Sequence, residues 1–256
     1  MSAIEALKNK LINREKIVGH HMGGLIYAEL PVYYKNGGAD FMLYDLEHGT
    51  YTPESIYDML MTARRVDMIS IIRVADYDYH CISRVLDMGA DGILLPRTET
   101  SAQLANALKC MRFYPKGKKG VGGRALKPGE TIQKFNEDRL LFVQIESPLG
   151  VSNLDEMLTL YGDEIAGIII GPSDMSIACE CNLDTNAAPV VENIRRTVEI
   201  CGAHKKSVGI YMSESQIKQR YDEGMNIFWV GSEMSLIAGG VRKIGSFVKG
   251  LGQESE

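Results

Sequence analysis

Four carboxylates, one imidazole and one guanidinium stand out because each sits at the end of a short apolar run. Asp45, Glu47 and His48 close FMLYDL (41–46), Arg73 closes ISIIRV (69–74), Glu146 closes LLFVQIE (140–146), and Asp174 follows AGIIIG (166–171) after Pro172 and Ser173. If the runs are neighbouring strands, Glu146 and Asp174 can turn their oxygens on one hard divalent cation and leave positions for water and substrate, as Mg²⁺ or Mn²⁺ prefers. Zinc would ask for His or Cys; Cys179 and Cys181 have no histidine nearby and read as ordinary thiols. His48 follows Asp45 by three residues where the chain turns, so the carboxylate is expected to hold the imidazole in one tautomer and make it a general base. Arg73, in an otherwise apolar run, either pairs with a carboxylate such as Glu47 or grips a substrate carboxylate with two parallel donors. No lysine lies between Asn36 and Leu108 or at any of these ends, so a Schiff base lacks its nucleophile and the electron sink is expected to be a metal. Neither a Gly-x-Ser-x-Gly elbow nor a phosphate-binding loop occurs.

Eight such runs can be counted, the others being IVGHHM (17–22), GILLP (92–96), SVGIYM (207–212) and IFWVGS (227–232). Between most of them lie segments with apolar residues on one helical face, such as Ile56/Met59/Leu60/Ala63 and Leu154/Met157/Leu158/Tyr161. Thr52-Pro53, Thr100-x-x-Gln103 and Ser213-x-x-Gln216 read as helix starts. Near-continuous apolar strands alternating with amphipathic helices mean a parallel sheet covered by helices. Eight repeats in 256 residues favour an α/β protein folded as one (β/α)8 TIM barrel over 1–256, a fold that takes about 250 residues. A doubly wound open sheet is the rival, but His20-His21-Met22-Gly23-Gly24 matches a dinucleotide turn poorly. The segment from Tyr114 to Arg139 reads as a long glycine-containing loop on the face opposite the chemistry, with a structural or subunit-contact role.

The 28 Lys and Arg against 33 Asp and Glu give a net charge of −5, which disfavours nucleic acid and anionic membranes as partners. Five cysteines without Cys-x-x-Cys spacing read as reduced thiols, and MSAIEALKNKLINREK carries charge throughout rather than an apolar leader, so a cytoplasmic protein is expected.

YDLEHGTYTPESI, IIRV, LDMGADGILLPRTETSAQ, RFYPKGKKGVGG, FVQIESPLGVSNLDEML and GIIIGPSDMS together resemble the HpcH/HpaI aldolases, metal-dependent class II pyruvate aldolases, from about residue 15 to 235. The resemblance implies a (β/α)8 barrel, often a hexamer with its last helix exchanged between partners. It also implies Mg²⁺, Mn²⁺ or Co²⁺ on Glu146 and Asp174, pyruvate contacts from Arg73 and Gln144, a base system of Asp45 and His48, and backbone at Gly171, Pro172 and Ser173 facing the pyruvate carboxylate. Arg97, Lys119 and the His20-His21 pair depart from the family pattern; they leave the metal and pyruvate end intact and concern the aldehyde partner. The expected activity is cleavage of a 4-hydroxy-2-oxo acid into a small 2-oxo acid, pyruvate or a relative, and an aldehyde. The alternatives are a malyl- or citramalyl-type lyase, an enolate-handling decarboxylase, or a non-catalytic barrel that binds a keto acid. Apolar residues between Ser235 and Gly250 make the last helix a candidate for exchange in a homo-oligomer.

Overall fold

The computed structural model describes residues 1–251. Strands β1 (Ile17–Met22), β2 (Phe41–Asp45), β3 (Ile69–Arg73), β4 (Gly92–Leu95), β5 (Leu140–Ile145), β6 (Ile165–Ile170), β7 (Val208–Met212) and β8 (Ile227–Ser232) pair in parallel, each with its successor. β8 returns to β1 and closes the barrel. All eight expected strands form, and the open-sheet rival is excluded by the closure.

Side chains on a strand alternate between faces, so every second residue looks into the barrel. Ile17, Phe41, Leu43, Ile69, Ile71, Leu94, Leu140, Phe142, Ile169, Ile227 and Trp229 form a buried cluster with Ile4, Leu7 and Leu11 of α1 (Ala3–Ile12). Phe41 and Phe142 stack with centroids 6.0 Å apart, and Gly19 makes room because a Cβ there would run into the Phe41 ring. Counting on by twos from these apolar positions reaches His21, Asp45, Arg73, Gln144 and Gly171, and on β7 the same count from Gly209 reaches Tyr211. The same parity that fills the lower barrel with hydrocarbon therefore brings polar groups together at its C-terminal mouth.

Outside lie α2 (Leu30–Asn36), α3 (Tyr57–Arg65), α4 (Tyr79–Asp87), α5 (Ser101–Met111), α6 (Ile132–Asp138), α7 (Pro148–Tyr161), α8 (Pro172–Ala178), α9 (Ala188–Ala203), α10 (Ile217–Asp222) and α11 (Glu233–Gly250). Thr100 and Gln103 cap α5 reciprocally as expected. Thr52 instead exchanges hydrogen bonds with Ser55 ahead of a short 3₁₀ turn, and α3 starts only at Tyr57. The expected loop from Tyr114 to Arg139 is shorter than its sequence implied. Thr131 caps α6, which buries Phe135, and Arg139 binds Glu130 through two nitrogens at 2.8 Å. Within that segment Lys119 is buried against Asp87 of α4, so the segment packs on its own barrel. In α11 only Glu233 is buried; Leu236, Ile237, Val241, Ile244, Phe247 and Val248 are 44 to 70% exposed. Among the described residues no helix is long and apolar enough to cross a membrane.

Candidate active site

A cavity of about 590 Å³ opens at the C-terminal mouth, lined among others by Asp45, His48, Arg73, Gln144, Gly171, Pro172, Ser173 and Asp174. Glu146, 4% exposed, lies beside it, in contact with Gln144. The structure thus gathers all of the expected site residues at one end of the barrel.

Register pairs Asp45 with Arg73 on adjoining strands. The guanidinium donates from Nε to Asp45 Oδ1 at 2.8 Å and from Nη2 to Oδ2 at 2.6 Å, a two-pronged bond between residues 8% and 2% exposed. Burial alone would raise the Asp45 carboxyl; the Arg73 bonds and charge, with backbone N–H donors of His48 and Glu47, outweigh it and hold it below its ordinary value. The expected dyad between Asp45 and the His48 ring does not form. Asp45 accepts the His48 backbone N–H at 3.2 Å, while the ring, mostly exposed, has Nε2 3.6 Å from Glu47 Oε2. The stronger, always-charged cation across the register has taken the carboxylate, and the turn presents the imidazole to the second one. Glu47 also lies 3.5 Å from Arg73 Nε and 3.0 Å from Arg97 Nε.

At the β5–β6 side, Glu146 Oε1 accepts the Arg97 N–H at 2.6 Å and Oε2 accepts from Gln144 Nε2. Burial, then the charges of Asp174 and Glu47, push the Glu146 carboxyl up to about 7, against the lowering effects of the Arg97 N–H and the Arg73 charge. Gly171 is required here, since a Cβ would run into Glu146 Oε2 and Gln144 Nε2. Asp174 sits in the first turn of α8, and Gln144 Oε1 is buried without a partner. These observations fit a hard divalent cation: a buried Glu146 carboxyl that the Asp174 charge helps to raise, carboxylate oxygens with spare lone pairs, and an orphaned amide oxygen close by. Among the described residues no group of three or more His, Cys, Asp or Glu is arranged for a metal, so the remaining positions would fall to water and substrate. Cys179 and Cys181 remain free thiols, with Cys181 Sγ 3.2 Å from the Cys179 carbonyl.

Four further lining residues bear on the site: His21, singled out in the sequence only as a departure from the family pattern, and Tyr211, Trp229 and Glu233, which were given no part. His21, Tyr211 and Trp229 form a cluster with ring centroids 5.1 to 5.8 Å apart, and His21 Nε2 lies 3.9 Å from Asp45 Oδ2. Burial, against the pull of the Asp45 charge, lowers the His21 value. Inward parity along β1, β7 and β8 is the signal that could have found these three. The fourth, Glu233, is 1% exposed, and its Oε1 accepts the N–H groups of Gly23, Gly24 and Leu25 at 2.9, 2.7 and 3.0 Å.

Comparison with known proteins bears on the fold and on the family. A crystal structure of an HpcH/HpaI aldolase from Desulfitobacterium hafniense superposes with a TM-score of 0.84 over 98% of this chain and 99% of that one, at 21% identity, which bears on the fold. A hydroxypyruvate/pyruvate aldolase of Delftia acidovorans is 31% identical over 207 residues, covering 78% of this chain and 76% of that protein. A 5-keto-4-deoxy-D-glucarate aldolase of Salmonella arizonae is 30% identical over 218 residues, covering 83% and 84%. Residues 33–239 match one family throughout, and on that ground the chain belongs to the HpcH/HpaI aldolase/citrate lyase family.

Proposed function

We propose that the protein is a metal-dependent aldolase, a carbon–carbon lyase that reversibly cleaves a 4-hydroxy-2-oxo acid into pyruvate, or a related 2-oxo acid, and an aldehyde. The observation that carries this reading is one cavity that Asp174 and the buried Arg73 line and that Glu146 adjoins, with the Asp174 charge acting on a buried Glu146 carboxyl that has no ion-pair partner among the described residues. The aldolase names of the relatives support it.

Glu146 and Asp174 hold the cation, Mg²⁺ or Mn²⁺, with Co²⁺ a third candidate. Once bound, the ion supplies positive charge where negative charge develops on the keto oxygen during cleavage. Arg73 gives Nε and Nη2 to Asp45, which leaves Nη1 for the keto-acid carboxylate rather than the two-pronged grip read from the sequence. Asp45 is therefore the group that fixes Arg73 and, through the His48 N–H, the turn carrying the base. Gln144 and the backbone of Gly171, Pro172 and Ser173 complete the keto-acid wall. His48, steadied by Glu47, takes the proton from the 4-hydroxyl directly or through water.

The same reading makes the chain one barrel domain over 1–256, of which 252–256 lie outside the described residues, in a homo-oligomer, a hexamer, with the apolar face of α11 buried between subunits. The five free thiols suit the reducing cytoplasm. The test is exchange of pyruvate methyl protons with solvent deuterium in Mn²⁺, together with pyruvate consumption across a panel of aldehydes. Both should stop in EDTA, and borohydride should trap nothing. Exchange that persists in EDTA sinks the metal mechanism; binding of pyruvate and Mn²⁺ without exchange or cleavage leaves a keto-acid-binding barrel.

A further inference from the structure

Three successive N–H groups that converge on one point make a cradle for an anion, and proteins commonly use such cradles to hold substrate carboxylates or phosphates. The cradle at Gly23, Gly24 and Leu25, just past β1, is filled from within the chain by Glu233 Oε1. Burial would raise the Glu233 carboxyl, yet these N–H bonds keep it below its ordinary value, so it stays an anion. Its second oxygen is buried too, so the whole carboxylate is held between the β1 loop and α11.

The carbonyls of the same loop are tied to the exit of β2. Thr50 donates its N–H to the Gly23 carbonyl at 2.8 Å, and the Tyr51 hydroxyl donates to the Leu25 carbonyl at 2.8 Å. Gly49 sits so close to the Gly23 carbonyl that a Cβ would meet it. Residues 49–51 directly follow His48. An unbroken run of held backbone therefore leads from Glu233 through the β1 loop to the imidazole, along a wall to which Gly23, Gly24 and Glu233 all contribute.

We infer that Glu233 is a positioning residue: its carboxylate fills the Gly23–Leu25 cradle so that the β1 and β2 loops hold His48 in place, and with that side chain removed the cradle becomes a receptor for a small carboxylate. The effect on turnover rests on the aldolase reading; the receptor does not.

Glu233→Ala deletes the atoms of one acetate ion, which makes acetate the probe. At constant ionic strength, Glu233→Ala should lower kcat on the order of 10²-fold, the scale of a misplaced catalytic group, while KM for the keto acid stays within about threefold. Acetate should restore kcat saturably in the variant and leave the parent unchanged. Trp229, the single tryptophan of the chain, lines the same cavity, so its emission reports occupancy without any turnover. Acetate should shift that emission saturably in metal-free Glu233→Ala and leave the metal-free parent flat. Glu233→Gln keeps an oxygen for the three N–H groups and should fall between the parent and the alanine variant in kcat. It carries the kinetic test should Glu233→Ala fail to fold. A variant kcat within twofold of the parent at an unchanged KM overturns the inference, and so does a Trp229 signal indifferent to acetate. If the parent itself turns nothing over, the aldolase reading falls and the fluorescence titration alone decides this one.

Discussion

Two sides of one cavity treat their carboxylates in opposite ways. On the β2–β3 side Asp45 lies in the fork of Arg73, and Glu47 has Arg73, Arg97 and His48 around it. On the β5–β6 side Glu146 has a backbone N–H and an amide but no ion pair among the described residues; burial and the charges of Asp174 and Glu47 outweigh the pull of the Arg73 charge. The first side is complete as folded: its charges are neutralised and its geometry set before a ligand arrives. The second sets Glu146 near Asp174 with neither carboxylate in an ion pair among the described residues, so negative charge there is disfavoured rather than neutralised. A folded chain keeps such an arrangement where a positive ligand is expected to complete it.

The contrast breaks most sharply at Glu146. Glu146→Gln should reduce pyruvate deuterium exchange and cleavage to background, a loss of at least 10³-fold on the order expected for a lost metal ligand, with added Mn²⁺ restoring little. The same variant should lose the Mn²⁺-dependent rise in Tm, worth about 2.7 kcal/mol in the parent at a hundred times Kd, while its metal-free Tm does not fall. A metal-free Glu146→Gln that unfolds more easily than the parent would show that the carboxylate is already compensated.

Next in size is Arg73→Ala, which strands buried Asp45 without its cation and should cost about 3 to 5 kcal/mol in urea unfolding, besides weakening pyruvate binding. Arg73→Lys should lose less of both, since it keeps the charge but not the fork. Equal stability of the alanine variant and the parent would remove the claim that this side is held together by the ion pair.

Acidity should separate the two sides in the metal-free protein. Glu146 in the fold, at about 7, lies above the ordinary 4.5, so it contributes stability that is fully present below pH 4.5 and lost as pH rises through 7, about 3 kcal/mol in all. Asp45 runs the other way: held below its ordinary value, it contributes stability that is present above that value and lost as pH falls through its folded one. Urea unfolding of parent and Glu146→Gln from pH 4.5 to 8 should therefore diverge, the parent losing ground toward neutrality. Mn²⁺ should close the gap.

His48→Ala should cut cleavage by about 10²-fold and leave pyruvate exchange and metal binding largely in place, because the base acts on the aldehyde half. Parallel loss of exchange and cleavage would place His48 on the keto-acid half instead. The smallest change belongs to Arg97→Ala. That guanidinium is about half exposed, and its pair with Glu47 should be worth no more than about 1 kcal/mol in thermal unfolding.

Much of this was readable along the chain because strand ends are local. A short apolar run that finishes in Asp45, Arg73, Gln144 or Glu146 announces both a strand and an unusual mouth, and eight such runs announce a closed barrel. Partner choice was not local. Asp45 and His48 are three residues apart, but register puts Arg73, 28 residues away, across from Asp45, and the stronger cation wins. His21, Tyr211 and Trp229 were legible in principle, since inward parity from Gly19, Gly209 and Ile227 points to them. Glu233 was not, because it looks like any acidic residue opening a helix until the barrel closes. In the Tyr114–Arg139 stretch, Phe135 is the one apolar residue that α6 buries, too little periodicity to mark a seven-residue helix.

The seam between β1 and β8 also sets an order of events for the growing chain. Until Ser232 has been made, β1 and β7 both present open edges able to pair with other chains. Joining them closes a loop of 210 residues between Gly23 and Glu233, a long-range step of the kind that slows folding and leaves sticky intermediates exposed. Glu233 is the first residue after the last strand, so its three hydrogen bonds form as the hoop shuts and act as a latch on the final staves. Dilution from urea should accordingly give more aggregate with Glu233→Ala than with the parent, even where the two folded proteins melt alike.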